Sequence, residues 1–348
     1  MTIARDRHVA TRLLDGRILL VGGNAIPGPD PGASADLYDP ATGTFSATGS
    51  MTTTRFFFTG TRLADGRVLM VGGNGFLGPL ASAELYDPAT GTFSSTGSMA
   101  TTRVSQAAAL LPDGRVLIAG GQGETRGSSG EPPALASAEL YDPATGTFSP
   151  TGSMSTARCG LAAALLPDGR VLIVGGSGEI GGSSGEAQDL ASAELYEPAT
   201  GTFSPTGRTA SAGPVTATSL RDGRILIAGG YDGPLHWSTT AELYDPATGR
   251  FSPTGSMTNA RADHMAMLLD DGRVLIADGD ASAELYDPAT GTFSPTGSMA
   301  TARGLATATR LADGRVLIAG GLAQGGTKTL ASAELYDPRS GTFSPTEP

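Results

Sequence analysis

The chain has 348 residues, a net charge of −11, a pI near 4.7 and one lysine, Lys328, a balance that excludes a surface tracking nucleic-acid phosphates. No apolar run is long enough to span a membrane, and the opening MTIARDRHVA lacks the hydrophobic segment of a signal peptide. Cys159 stands alone, so no internal disulfide forms; a cytoplasmic monomer, or a domain excised from an exported protein, is expected.

In chain order, the first elements are four short strands. Strand A is ATRLL (10–14), Asp15-Gly16 turns the chain into strand B (RILLV, 17–21), ADLYD (35–39) is strand C and TFSAT (44–48) is strand D. Asp-Gly suits a tight hairpin in which both central residues take positive φ. Gly22-Gly23 frees the backbone where the chain leaves strand B, and Pro40 stops strand C because it cannot donate to a ladder. No long helix is expected.

The same order recurs down the chain. Asp-Gly-Arg begins at Asp15, Asp65, Asp113, Asp168, Asp222, Asp271 and Asp313, spaced by 50, 48, 55, 54, 49 and 42 residues. Seven units follow, with approximate bounds 1–50, 51–98, 99–153, 154–207, 208–256, 257–298 and 299–348. A lone four-stranded unit cannot bury both faces, so the units are expected to stack radially as one all-β domain over 1–348.

A Gly-Gly, a Glu-x-Tyr-Asp-Pro and an aromatic, here Phe, resemble the kelch repeat, in the flavour of bacterial kelch proteins and the propeller domain of galactose oxidase-like proteins. The resemblance implies a seven-bladed kelch-type β-propeller with four antiparallel strands per blade. Because the chain starts at a strand A and ends at a strand D, closure without a swapped strand is expected. It also implies binding on the face that carries the strand A entries and the B–C loops.

What recurs in every unit is read as scaffold. Seven of the eight tyrosines sit in Leu-Tyr-Asp/Glu-Pro, and seven of the eleven phenylalanines follow a Thr-Gly or Ser-Gly turn. The arginines entering strand A (Arg5, Arg55, Arg103, Arg158, Arg261, Arg303) and the strand C acids are read as interblade ion pairs, with Ala212 at the arginine position of unit five. Outside the repeat remain Phe56, Phe57, Phe58, Phe76, Tyr231, Trp237, His8, His236 and His264.

Five residues before each Asp-Gly-Arg stands a small residue, as crowded inner strands require. Two residues earlier the position varies: His8, Phe58, Gln106, Leu161, Val215, His264 and Ala306. That set is expected at one mouth of the central channel, its side chains clear of the packing between blades. The B–C loops share this face, long in units three and four and nearly absent in unit six, where Asp278 replaces the first glycine of Gly-Gly. Asp278-Gly279 reads as a short hairpin turn that leaves a gap beside His264.

The ligand-binding candidates are therefore His8, Phe58, Gln106, His264 and the loop Tyr231, Asp232, His236 and Trp237. The loop could stack on a sugar, grip a peptide, or fold its Trp down on itself. His8 and His264, each near an aspartate (Asp6, Asp263), could hold a metal, touch a ligand, or be solvated rim residues. In galactose oxidase a cysteine placed like Cys159 is crosslinked to a tyrosine near the next strand A; here 209–220 contain none, so copper-radical chemistry is not implied. The expected function is a non-catalytic module binding a protein or carbohydrate without a cofactor. A metal-assisted or carbohydrate-active enzyme at the channel mouth and a bare repeat scaffold are the alternatives.

Overall fold

The computed structural model describes residues 1–26, 32–124, 132–178, 188–233, 236–277 and 279–346. It is a seven-bladed β-propeller in which each blade is a four-stranded antiparallel sheet built from one repeat. The sheets run over 9–47, 59–95, 107–150, 162–208, 216–253, 265–295 and 307–345, and no strand is exchanged between them. Among the described residues there is no helix.

In blade 1, Val9–Arg12 (strand A) pairs with Ile18–Val21 (strand B), which pairs with Ala35–Asp39 (strand C) and then Thr44–Ala47 (strand D). Strand B is buried on both faces, which is why it reads as an unbroken apolar run rather than an alternation. Strand D is the exposed edge, and its Ser, Thr and Pro residues offer little for another chain to pair with.

The Asp-Gly turns differ from the two-residue form expected. Leu13 N–H donates to Arg17 C=O, enclosing Leu14, Asp15 and Gly16, and of these three only Gly16 has positive φ. This is the three-residue loop with a left-handed glycine at its end. Asp15 holds it by accepting from the Arg17 N–H at 3.0 Å and pairing with the Arg17 guanidinium at 2.7 Å.

The chain divides into two compact units. The first comprises Met1–Met70, Glu84–Ser95 and Asp263–Pro348; the second comprises Val71–Ala83 and Thr96–Ala262. Within each, the apolar core lies between blades. Leu13, Val21, Met51, Val68 and Met70 join blades 1 and 2, and Ile18, Leu20, Leu317 and Leu335 join blades 1 and 7. In the second unit, Leu117, Met154 and Ile173 join blades 3 and 4, and Leu172, Val174, Ile225 and Ile227 join blades 4 and 5.

An arginine clamp accompanies three of these four cores, those between blades 1 and 2, 7 and 1, and 3 and 4. The Arg158 backbone belongs to blade 3: its N–H donates to Leu135 C=O and its C=O accepts from Gly121 N–H. The Arg158 side chain turns into blade 4, donating to the carbonyls of Gly175 and Ser192 and pairing with Glu194 at 3.2 Å, with both side chains almost fully buried. Glu194 also accepts from the N–H groups of Ser155 and Thr156. The ion pair thus lies inside one blade, while the arginine backbone reaches the blade before it. Arg103 with Glu139 repeats this in the second unit and Arg55 with Glu84 in the first, where Arg303 with Glu334 repeats the ion pair within the blade.

Arg5 shows how blade 7 meets blade 1. Its backbone exchanges hydrogen bonds with Leu330 and Gly321 of blade 7, and its guanidinium pairs with Asp36 of blade 1. The joint between blades 7 and 1 thus uses the same device as the joint between blades 3 and 4.

Unit five departs from the pattern by one residue. Gly213, not Ala212, takes the arginine's place, since its N–H donates to Leu190 C=O and its C=O accepts from Gly176 N–H. Ser211 Oγ supplies the missing bond to the Gly229 carbonyl at 2.7 Å.

Arg158→Ala leaves the Glu194 carboxylate buried without its cation and is expected to destabilise the fold by about 3–5 kcal/mol, whereas Arg158→Met with Glu194→Leu costs clearly less. Guanidinium unfolding of both variants checks this. Equal losses would show that packing, not the buried charge, dominates the clamp.

Candidate functional site

Chain direction places the strand A entry and the B–C loop at the same end of every blade, with the Asp-Gly turn at the other. The candidate residues fall into two classes at this loop end, those packed into the scaffold and those projecting from it.

His8, Phe58, Gln106, Val215 and His264 are all buried, so the expectation that their side chains escape the packing does not hold. The reason is the Gly-Gly pair. A Cβ on Gly22, which has φ +66°, would lie 2.8 Å from the Phe58 ring and 2.6 Å from the Arg55 carbonyl oxygen. The first glycine thus leaves a notch that the next blade fills: Phe58 beside Gly22, Gln106 beside Gly72, Leu161 beside Gly120, Val215 beside Gly175 and His8 beside Gly320. The variation along this series is variation of plugs in one kind of socket. Asp278, at the corresponding position of unit six, lies outside the described residues.

His8 Nε2 lies 2.9 Å from Thr307 Oγ1, and its Nδ1 has no hydrogen-bond partner. Burial, reinforced by the Arg5 charge, pushes the imidazole down to about 3, so it is neutral at physiological pH. Gln106 Nε2 donates to Val71 C=O at 2.8 Å. Asp6 is held by Arg7 at 2.6 Å and by Thr329 Oγ1 at 2.9 Å. Burial raises the Asp263 carboxyl above the ordinary aspartate range. Among the described residues no three His, Cys, Asp or Glu side chains converge.

One position earlier than this series, six of the seven repeats carry a left-handed residue. Arg7, Phe57, Ser105, Asp263 and Leu305 all have φ between 52° and 55°, and Gly160 has φ 60°. In the first unit Phe57 N–H donates to Arg7 C=O and Arg7 N–H to Leu305 C=O; in the second, Gly160 N–H donates to Ser105 C=O. Each bond links successive blades and offsets the cost of the left-handed backbone. Arg7 stacks over the Phe57 ring at 5.0 Å. Only Gly160 hinted at this conformation in the sequence.

Of the three short two-stranded hairpins at loop ends in the second unit, two carry exposed large apolar side chains. Tyr231–Gly233 pairs with His236–Trp237, Tyr231 opposite Trp237, with Asp232 and His236 exposed. Trp237 is 56% exposed, so this loop does not fold its indole down on itself. The Tyr231 ring lies against Gly213, where a Cβ would approach it to 2.6 Å. The other hairpin pairs Asn74–Gly75 with Gly78–Pro79 and holds Phe76 and Leu77 at its tip, 92% and 96% exposed. Phe76 stood out as non-repeat in the sequence; Leu77 did not, being one leucine among many. The distal parts of the long loops of units three and four, 125–131 and 179–187, lie outside the described residues.

Residues 217–258 match the family profile of the Kelch motif. No curated protein matches the sequence. Among solved structures the chain is similar to a fungal alcohol oxidase with catalytic diversity among the AA5 family, in complex with copper: TM-score 0.74, 19% identity, covering 98% of this chain and 74% of that one. At that identity the likeness is one of fold.

The donor set here does not fit a copper centre. Cys159 Sγ donates to the Ser177 carbonyl at 3.4 Å and burial raises its thiol pKa, while His8 is locked in an interblade notch and His264 is buried as well.

His8 yields a pH prediction. Its folded-state value lies below the ordinary 6.5, so the unfolded chain binds a proton that the folded chain refuses between about 6.5 and about 3. Stability is unaffected above that window and falls as pH drops through it, by on the order of a few kcal/mol. His8→Gln, the residue type that fills the equivalent notch at Gln106, is expected to fold and to lose part of this acid-side slope. Urea unfolding at several pH values checks it; an unchanged slope would remove His8 from the account.

Proposed function

We propose that this kelch-repeat β-propeller is a non-catalytic binding module that holds a protein ligand at the loop ends of its blades. The observation that carries this reading is the pair of projecting hairpins, with Phe76 and Leu77 almost fully exposed on one and Trp237 on the other. Large apolar side chains on short two-stranded hairpins have no internal role in a scaffold whose cores lie between blades. Buried on a partner, each is worth about 1.5–3 kcal/mol, and aromatic anchors of this kind dominate binding energy at interfaces. Around them the chain supplies adaptable polar groups, Asp232, His236 and Tyr231.

A rigid scaffold presenting variable loops is the usual arrangement for recognition. The buried histidines support the non-catalytic reading, since a general base must reach its substrate and His8 is enclosed. The chain acts on this reading as one domain over 1–348 and as a monomer.

The test is quantitative affinity capture followed by reconstitution with the purified partner. Phe76→Ala with Leu77→Ala, and separately Trp237→Ala, are expected to weaken binding about tenfold or more without shifting the melting temperature. Arg115→Ala, on the Asp-Gly turn at the other end of blade 3, should leave it unchanged. Copper-supplemented chain is expected to release no peroxide from primary alcohols. A turnover lost on His264→Ala would overturn the reading in favour of an enzyme, and equal binding by all variants would place the interaction elsewhere.

A further inference from the structure

At the opposite ends of the blades, three arginines occupy one register position. Arg12, Arg62 and Arg310 each stand three residues before the aspartate of Asp-Gly-Arg, at the last residue of strand A, where the other four repeats carry Leu110, Leu165, Ser219 and Leu268. The three belong to blades 1, 2 and 7 of the first unit, with strand A of blade 1 packed against strand A of both others. Together with Thr11, Leu14 and Thr309 they line a pocket of about 610 Å³, within the range of small-molecule sites.

The fold does not require these arginines. Leu110 pairs with Val116 just as Arg12 pairs with Ile18, so leucine serves the strand equally well. Their known bonds leave most donors free for other partners: Arg62 Nη1 donates to the Arg12 carbonyl at 2.7 Å, Arg310 pairs with Asp270, and Arg12 Nε is buried with no hydrogen-bond partner. Asp15, the nearest other carboxylate in sequence, is committed to Arg17. Three guanidinium groups against one carboxylate make a local excess of positive charge in a chain of net charge −11. Leu14, 69% exposed, adds an apolar wall.

We propose that this pocket binds a small organic polyanion bearing two or more carboxylate or phosphate groups. Guanidinium forks match such groups in two-bond geometry, and arginines converging from three successive strands suit a multiply charged ligand better than a monoanion. Strand A finishes at the Asp-Gly turn, the end of each blade opposite its own B–C loop, and this proposal does not rest on the protein ligand proposed above.

Isothermal calorimetry on the full chain tests it with citrate and pyrophosphate as probes, and with acetate and sulfate as controls. Citrate or pyrophosphate is expected to bind one per chain, more weakly as sodium chloride is added. The stronger of the two tells whether carboxylate or phosphate is the preferred group. Arg62→Leu and Arg12→Leu, which install the residue blades 3, 4 and 6 already carry, are expected to weaken binding about tenfold or more, with Arg62→Lys intermediate and Trp237→Ala without effect. No heat from either probe overturns the proposal. So does equal affinity in parent and Arg62→Leu, or acetate binding as well as citrate, which would mean an adventitious ion only.

Discussion

The arginine clamp is the interaction on which the rest of this structure depends. A four-stranded blade exposes two apolar faces and is not stable alone, so the fold exists only through its joints. Each clamp ties the backbone of an entering segment to one blade and its guanidinium to the next, and the cation also satisfies carbonyls that the loop departing from strand B leaves open. An apolar pair could fill the space but could not bond those carbonyls. At the outer ends of the same joints, the strand C tyrosines reach back to the preceding blade, as Tyr141 does to Thr96 and Tyr196 to Thr151, both at 2.9 Å.

Because stability is lodged between blades, the ends of the blades are free to vary. At the loop ends the backbone is nonetheless constrained where the left-handed residues Arg7, Phe57 and Leu305 are bonded one to the next. Among the described residues, the hairpins that carry Phe76, Leu77 and Trp237 make no such backbone bonds between blades. At the turn ends the scaffold asks only that strand A finish with a residue that pairs, and arginine, leucine and serine all satisfy that. Chemistry can therefore accumulate at either end without disturbing the joints.

The socket behind each Gly-Gly shows how variability can mislead. Across seven repeats the series His8, Phe58, Gln106, Leu161, Val215, His264 and Ala306 looks unconstrained, which is how a ligand surface looks. In the structure the position is constrained by enclosure rather than by identity: anything that fits the notch will do, so imidazole, amide, phenyl and isopropyl are interchangeable plugs. Variation alone does not separate a binding rim from a tolerant cavity, because both lack a single preferred side chain.

Much was legible before any coordinates. Seven Asp-Gly-Arg turns, the apolar strand B and the Pro after strand C specify seven antiparallel blades without an exchanged strand, because each is a local rule of backbone geometry or pairing repeated in register. The identity of the scaffold arginines and acids was legible for the same reason. What the tertiary structure alone decided is where non-repeating side chains go. The depth of His8, the exposure of Phe76 and Leu77, the Gly213 substitution for an arginine and the meeting of Arg12, Arg62 and Arg310 all depend on how neighbouring blades are set against each other. Residues some fifty or three hundred positions apart become neighbours only then, and no local pattern records that distance.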